Sequence, residues 1–510
     1  MRLLRLASIG VCALLAVAHI EAAGDPSRLV EAVKAGNRAA VQTLVKDPGA
    51  VNGRTPDGST PLHWAARADD VEIVKALVRA GANVNASNRY GVTPLNLAAT
   101  SGSAAIAAAL LDAGADANGS LPEGETALMT AARTGNPAVV ELLLKHGAEV
   151  DARESWLGET ALMWAAGENH ADAIHMLIDW GADPNLSSAP TAYKRRISGQ
   201  TILPRGGFTP LMYAAREGAT DAVRALADRG ADLDAGDPDG TTALLLTVIN
   251  AHYDLSALLV EKGADINRTD SAGMTPLYAA VDMNTLQFMH GRPTSRPSGR
   301  MDAVDLVKFL LAHGAKVDLA LKTPALQRHN NGPNANLGEG TTPLMRAAKS
   351  GDVAVMKLLL AAGANPMLRQ KTQNTVLILA AGLGRRFNQN ADSQEYEQGT
   401  EAELLDAVKL CVELGIDLNA VNTAGDTAMH VAAGESIVRF LASHGAKLDV
   451  RNKQGRTPLD VAILRKDGSG RQLLPGAVVA LRELGAPASI EANARPPVEQ
   501  PAANAAEADR

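Results

Sequence analysis

A five-residue string, Gly-x-Thr-Pro/Ala-Leu, returns along this chain at Gly58, Gly91, Gly124, Gly158, Gly207, Gly240, Gly273, Gly340, Gly425 and Gly455, with Met429 in the last place of the ninth copy. A weakened copy, Asn374-Thr375-Val376-Leu377, fills the gap between Gly340 and Gly425. Successive spacings are 33, 33, 34, 49, 33, 33, 67, 34, 51 and 30 residues. A unit of this length cannot bury its own hydrophobic face. Stacked neighbours must supply the core, so the chain has to be a repeat array. The three long spacings mark repeats that carry insertions.

Each unit reads as turn, helix, helix. Thr60 suits a helix N-cap, and Pro61 at the first helical position gives up only an N–H that has no partner there. Leu62, Ala65 and Ala66 follow at i, i+3 and i+4 on one apolar face, with the small alanines allowing close helix approach. A second helix over 71–80 presents Ile73, Val74, Leu77 and Val78, and Gly81 stops it. Asp57-Gly58 and Asp239-Gly240 are tight-turn dipeptides for a projecting hairpin.

The run Gly58-Ser59-Thr60-Pro61-Leu62-His63-Trp64-Ala65-Ala66, then Val74-Lys75-Ala76-Leu77-Val78, then Ala80-Gly81-Ala82-Asn83-Val84-Asn85, resembles an ankyrin repeat. The resemblance covers residues 25 to 486. It implies an all-α solenoid of about 12 helix-turn-helix repeats joined by β-hairpin turns. It also gives His63 and His430 a structural task, holding the adjoining turn by hydrogen bonds. Met129, Met163, Met212 and Met345 take that place in other copies. Residues 24–57 lack Thr-Pro-Leu and read as an N-terminal capping repeat, followed by repeats over 58–454 and a C-terminal capping repeat over 455–486. Insertions fall at 186–206, 284–301, 319–339 and 383–402, and 487–510 reads as a disordered tail.

Residues 1–23 read as a secretory signal peptide. Arg2 and Arg5 precede an apolar run over 6–18 interrupted only by Ser8, and Ala16-Val17-Ala18 or Ala22-Ala23 offers a cleavage site. His19 and Glu21 end the run short of the roughly 20 apolar residues of a membrane span. Cys12 leaves with the leader, so the mature chain keeps one cysteine, Cys411, and has no internal disulfide. Arginine outnumbers lysine 33 to 16, which fits a GC-rich bacterium and a periplasmic or secreted product without a membrane contact after cleavage. A net charge of −7 argues against a nucleic-acid surface.

Few side chains form a chemical pattern. His170 and His175 are five apart rather than the four of a helical zinc pair, and Asp237-Pro238-Asp239-Gly240 would put Ala235 and Leu246 at liganding places of a calcium loop. Gly382-Leu383-Gly384 follows a helical stretch and lacks a third glycine, so no dinucleotide fingerprint is present. Cys411 lies on an apolar helix face with Leu405, Val408 and Val412. Catalytic, metal and cofactor residues are therefore expected to be none.

The expectation that remains is a protein-binding scaffold, monomeric, with a partner of unknown identity. An accessory protein for a periplasmic redox or stress enzyme, a handler of a small molecule or haem, and a secreted effector are alternatives. The resemblance implies binding through hairpin tips and the exposed side of the first helix. On that basis the tip residues include Tyr90, Trp156, Phe208 and Met274, and the first-helix residues include Arg67, Arg133, Arg216 and Glu217, while Trp164 and Tyr213, at the place after the motif His, are candidates for either the partner surface or the core. Residues 156 to 213 hold six of the 15 aromatic residues. Lys194, Arg195 and Arg196 add a basic spot for the rim of an acidic partner.

Overall fold

A computed structural model describes residues 26–197, 201–285, 297–323, 336–383, 399–466 and 472–488. The leader over 1–23, the tail from 489, and most of the insertions at 284–301, 319–339 and 383–402 lie outside the described residues. Two compact units are present: residues 1–196 with 200–265, and residues 197–199 with 266–510.

The first unit opens with helices Pro26–Lys34 and Arg38–Leu44 and a single turn, Pro48–Val51. Six helix pairs follow, from Pro61–Arg67 with Val71–Arg79 to Ala243–Ile249 with Tyr253–Glu261. The second unit holds five pairs, from Pro276–Thr285 with Ala303–Ala312 to Pro458–Leu464 with Pro475–Glu483. Within each unit, first helices pack on first helices of neighbouring repeats and second on second, so stacking supplies the core. Leu62, Ala65, Ala66, Val74 and Leu77 are fully buried, and their equivalents are buried along the array except at Ile463 in the last repeat. The array is an all-α ankyrin fold. Its one sheet among the described residues lies in the 186–206 insertion, where Thr191–Ile197 pairs with Thr201–Arg205. Only three residues separate these strands, too few for a parallel crossover, so the pair is antiparallel.

Threonine caps start the first helices. Thr126, Thr160, Thr209, Thr242 and Thr342 each accept the N–H three residues on. His63 does what the resemblance implies. The Thr60 N–H donates to its Nδ1 at 3.1 Å, so the ring proton sits on Nε2, which donates to Val92 O at 2.9 Å. His430 repeats the geometry with Thr427 and Arg456.

Two periodic devices escape the motif. Beyond the second helix Asn52, Asn85 and Asn118 each donate to the glycine carbonyl of the next repeat (Gly81, Gly114 and Gly147). Each also accepts an N–H two residues beyond that glycine, from Asn83, Asp116 and Glu149. At the hairpins, Arg54 donates to Gly58 O and Ser87 O, and Arg153 donates to Gly158 O and Ser187 O, each clamping two successive tips. The tips also join backbone to backbone: Arg89 N to Asp57 O at 2.9 Å, Ser155 N to Glu123 O at 2.8 Å, and Ala189 N to Leu157 O at 2.6 Å.

The weakened copy shifts register by one. Gln373, at φ 61°, occupies the left-handed position that Gly340 holds at 87° and Gly425 at 82°, so Asn374 is the residue after the turn rather than its glycine equivalent.

Candidate protein-interaction surface

The hairpin before Gly158 is one residue longer than the hairpin before Gly58, as the distances from the clamping arginines Arg153 and Arg54 show. In the shorter tips an Asp or Asn accepts the turn N–H groups: Asn88 takes those of Tyr90 and Val92. The longer tip needs a longer acceptor. Glu154, only 8% exposed, receives the N–H of Trp156 and of Leu157 at 2.6 Å and of Glu159 at 2.9 Å. Three charge-assisted bonds fix the loop, and the Trp156 ring stands out from it at 78% exposure. Tyr90, two tips earlier, is 63% exposed.

Phe208 and Met274 are corrected by their geometry. Both follow the left-handed glycine and lie at the foot of the hairpin, beside the helix cap. Met274 is buried. Phe208 is half-buried, its backbone is paired with Ser188, and its ring meets Tyr213 edge-on at 5.7 Å. An aromatic residue there packs on the next turn of its own helix rather than facing solvent.

The first-helix candidates form a connected face across three repeats. Glu159 accepts from Trp164 Nε1 at 2.8 Å and from the Tyr213 hydroxyl at 2.5 Å. The Arg133 guanidinium lies 4.9 Å from the Trp164 ring, and Arg216 lies 5.1 Å from Tyr213 and 5.8 Å from Phe208. Arg133 also stands 3.7 Å from Glu125, while Arg216 pairs with Glu217 at 2.7 Å. Tyr213 is buried and its hydroxyl is pushed well above the ordinary phenol range, by burial first and by Glu159 next. Tyr213 therefore serves as a pillar, whereas Trp164 is half-exposed and Arg133 and Arg216 are exposed. Lys194, Arg195 and Arg196 fall on the strand Thr191–Ile197, and their side chains lie outside the described set.

Of the residues with chemical potential, His175 has a buried Nδ1 with no hydrogen-bond partner among the described residues, and the others have structural partners. His170 Nε2 bonds Arg133 O at 2.9 Å, and its ring fills the space where a Cβ on Gly135 would stand, 2.3 Å away. Asp237 accepts from Asp239 N and Thr241 N as an ordinary turn acid. Burial pushes the Cys411 thiol up to about 12, so it holds its proton at neutral pH. Among the described residues no three His, Cys, Asp or Glu side chains could hold a metal ion, and no helix is long and apolar enough to cross a membrane.

The model of the family "Ankyrin repeats (3 copies)" matches residues 29–120, 115–188, 211–291, 300–388 and 400–480. Ankyrin repeat domain-containing protein 63 of Homo sapiens is 32% identical over 149 residues, covering 27% of this chain and 34% of that protein. SH3 and multiple ankyrin repeat domains protein 2 of Homo sapiens is 28% identical over 181 residues, 32% of this chain and 9% of that protein. NF-kappa-B inhibitor cactus of Drosophila melanogaster is 31% identical over 122 residues, 21% of this chain and 24% of that protein. The matched region thus spans about a third or less of each of these relatives. The crystal structure of the human ASB11 ankyrin repeat domain aligns with 46% of this chain and 96% of its own, at 28% identity and a TM-score of 0.39.

Proposed function

This chain belongs to the ankyrin-repeat family, a protein-interaction scaffold by its repeats, and on that premise we propose that its partner binds the first unit around Trp156. The observation that carries the reading is the pairing of exposure with bracing: the largest side chain type stands 78% exposed on a loop whose acceptor, Glu154, is buried. Solvent-exposed indoles on rigid loops cost little entropy to dock, and aromatic anchors dominate binding hot spots. Trp164, Arg133 and Arg216 extend the surface along the first helices, and Tyr90 extends it along the tips.

The leader pattern over 1–23 supports export, with a periplasmic or secreted monomer as the working form. A fusion of residues 1–23 to a reporter, followed by fractionation, tests that part. Affinity capture with the mature chain and its Trp156→Ala variant side by side tests the surface. A partner held by the parent should bind the variant more weakly by roughly 2 kcal/mol, with thermal unfolding unchanged. Equal capture by both proteins would exclude Trp156 as the anchor.

A further inference from the structure

The side-chain acceptors at Asn52, Asn85 and Asn118 belong to a ladder that runs down both units. Ten successive repeat junctions, from Asn52 to Asn419, offer the same place. In nine of them an Asn or Asp side chain accepts an N–H of the next repeat, at 2.7 to 3.3 Å. In the remaining one the residue is Met367. The N–H that should meet it, on Asp417, has no acceptor among the described residues.

Both halves of that junction are otherwise built. Met367 N donates to Asn365 Oδ1 at 2.9 Å, as Asn85 N does to Asn83 Oδ1 at 3.0 Å, so the methionine stands on the same local turn as the asparagines. Across the joint Asn419 N donates to Asp417 Oδ1 at 2.9 Å, the same turn again. What the joint lacks is an oxygen, because a thioether sulfur is only a weak acceptor. Exposure points to the same side chain. Met367 is 53% exposed, whereas every other methionine among the described residues is buried or half-buried. A dissolved oxidant therefore meets Met367 first.

We propose that Met367 is an oxidation site, at which hydrogen peroxide makes the sulfoxide and the new oxygen accepts the Asp417 N–H, closing the ladder. In this step a sulfur lone pair takes one peroxide oxygen, the O–O bond breaks and water leaves. The thioether is oxidised by two electrons and the peroxide is reduced by two. The sulfoxide oxygen lies one bond further from the backbone than an Asn Oδ1, and the unbranched side chain has the torsions to fold it back. The sulfur becomes chiral, so one of the two epimers aims its oxygen at Asp417. A sulfoxide formed in a core disrupts packing, but here it falls on an exposed side chain and adds a bond. The joint it tightens flanks the copy in which Gln373 is held left-handed at φ 61°.

The test compares the full chain before and after treatment with dilute hydrogen peroxide. Peptide mass spectrometry should find one added oxygen on Met367 before any other described methionine. Hydrogen exchange in a fragment covering 414–419 should slow by about threefold or more, and the urea midpoint should rise. Of the two sulfoxide reductases, each specific for one epimer, one should reverse both changes. Met367→Gln, whose amide oxygen stands as far from the backbone as the sulfoxide oxygen, should show the raised midpoint without peroxide and no response to it. Met367→Leu should keep the midpoint of the untreated parent and should not respond either. First oxidation at another described methionine, unchanged exchange at 414–419, a midpoint that falls or stays, or a peroxide response that survives in Met367→Leu would overturn the proposal.

Discussion

Asp151 occupies the place that Asn52, Asn85 and Asn118 hold in the preceding repeats, and the exchange costs a bond. Its carboxylate still accepts from Asp183 N at 3.3 Å, but it has no proton for the glycine carbonyl that each Asn reaches. Burial pushes its pKa up, with the charge of Asp183 adding repulsion, so its carboxylate is less well accommodated in the folded chain than in the unfolded one. Asp151→Asn should therefore stabilise the first unit by roughly 1 kcal/mol, seen as a higher urea midpoint with an unchanged slope. A lower midpoint would show that the amide finds no acceptor. His63 and His430 give the opposite pH signature. Burial, the largest cause, lowers both pKa values below 6.5, and protonating Nδ1 would set a proton against the Thr60 or Thr427 N–H. The unfolded chain thus binds these protons more readily, so the stabilisation is complete above pH about 6.5 and is lost as pH falls toward the folded values. Denaturation at pH 7.5 and pH 5.5 should show that loss shrink when both histidines are replaced by Asn. The histidines were legible because the motif names them. The Asn ladder was equally periodic, yet a search keyed on Gly-x-Thr passes over a polar residue at the far end of the repeat.

Within one hairpin, a single inserted residue changes which acceptor the turn requires, and Glu154 meets that requirement where Asp or Asn serves elsewhere. Removing its carboxylate leaves the N–H groups of Trp156, Leu157 and Glu159 to water. Glu154→Ala should cost roughly 2 kcal/mol in thermal or chemical unfolding. It should also weaken partner capture with Trp156 intact, because the indole then has to be ordered on binding. Capture at full strength would separate the anchor from its brace. The exposed aromatic at 156 could be expected from the sequence because a tip faces solvent in every repeat. Phe208 could not be placed the same way, since only two or three positions along the hairpin separate the tip from the foot and the backbone decides between them. The Trp164–Glu159–Tyr213 bridge joins repeats whose spacing includes the 186–206 insertion, so no fixed period connects its members.

Stability in a solenoid is a sum over repeats and their nearest neighbours, so a weak unit is felt on both sides of itself. In the second unit that place is the copy containing Gln373. A side chain is held left-handed there at φ 61°, and the first helices of this repeat and the next are the shortest of the unit, five residues in Val376–Ala380 and four in Ala428–Val431. Two features offset this. Val376, Leu377, Ile378, Leu379 and Ala380 are all buried, and an amide relay ties the neighbouring tips: Gln370 donates to Thr341, Asn374 to Gln370, and Asn422 to Asn374. The sequence showed the missing glycine but set it one residue too late, because the left-handed site is a property of the backbone and only usually carries Gly. Gln373 is exposed and leaves no buried volume behind, so Gln373→Gly should relieve roughly 1 kcal/mol of backbone strain. Hydrogen exchange should then slow in Val376–Ala380 and in the adjoining helices Val353–Ala361 and Glu401–Glu413, while Val71–Arg79 in the first unit keeps its rate. In the parent, Val376–Ala380 should exchange before Pro343–Ser350. Equal protection of those two helices in the parent, or a variant that slows exchange throughout the chain, would mean that Gln373 does not mark the weak point of the array.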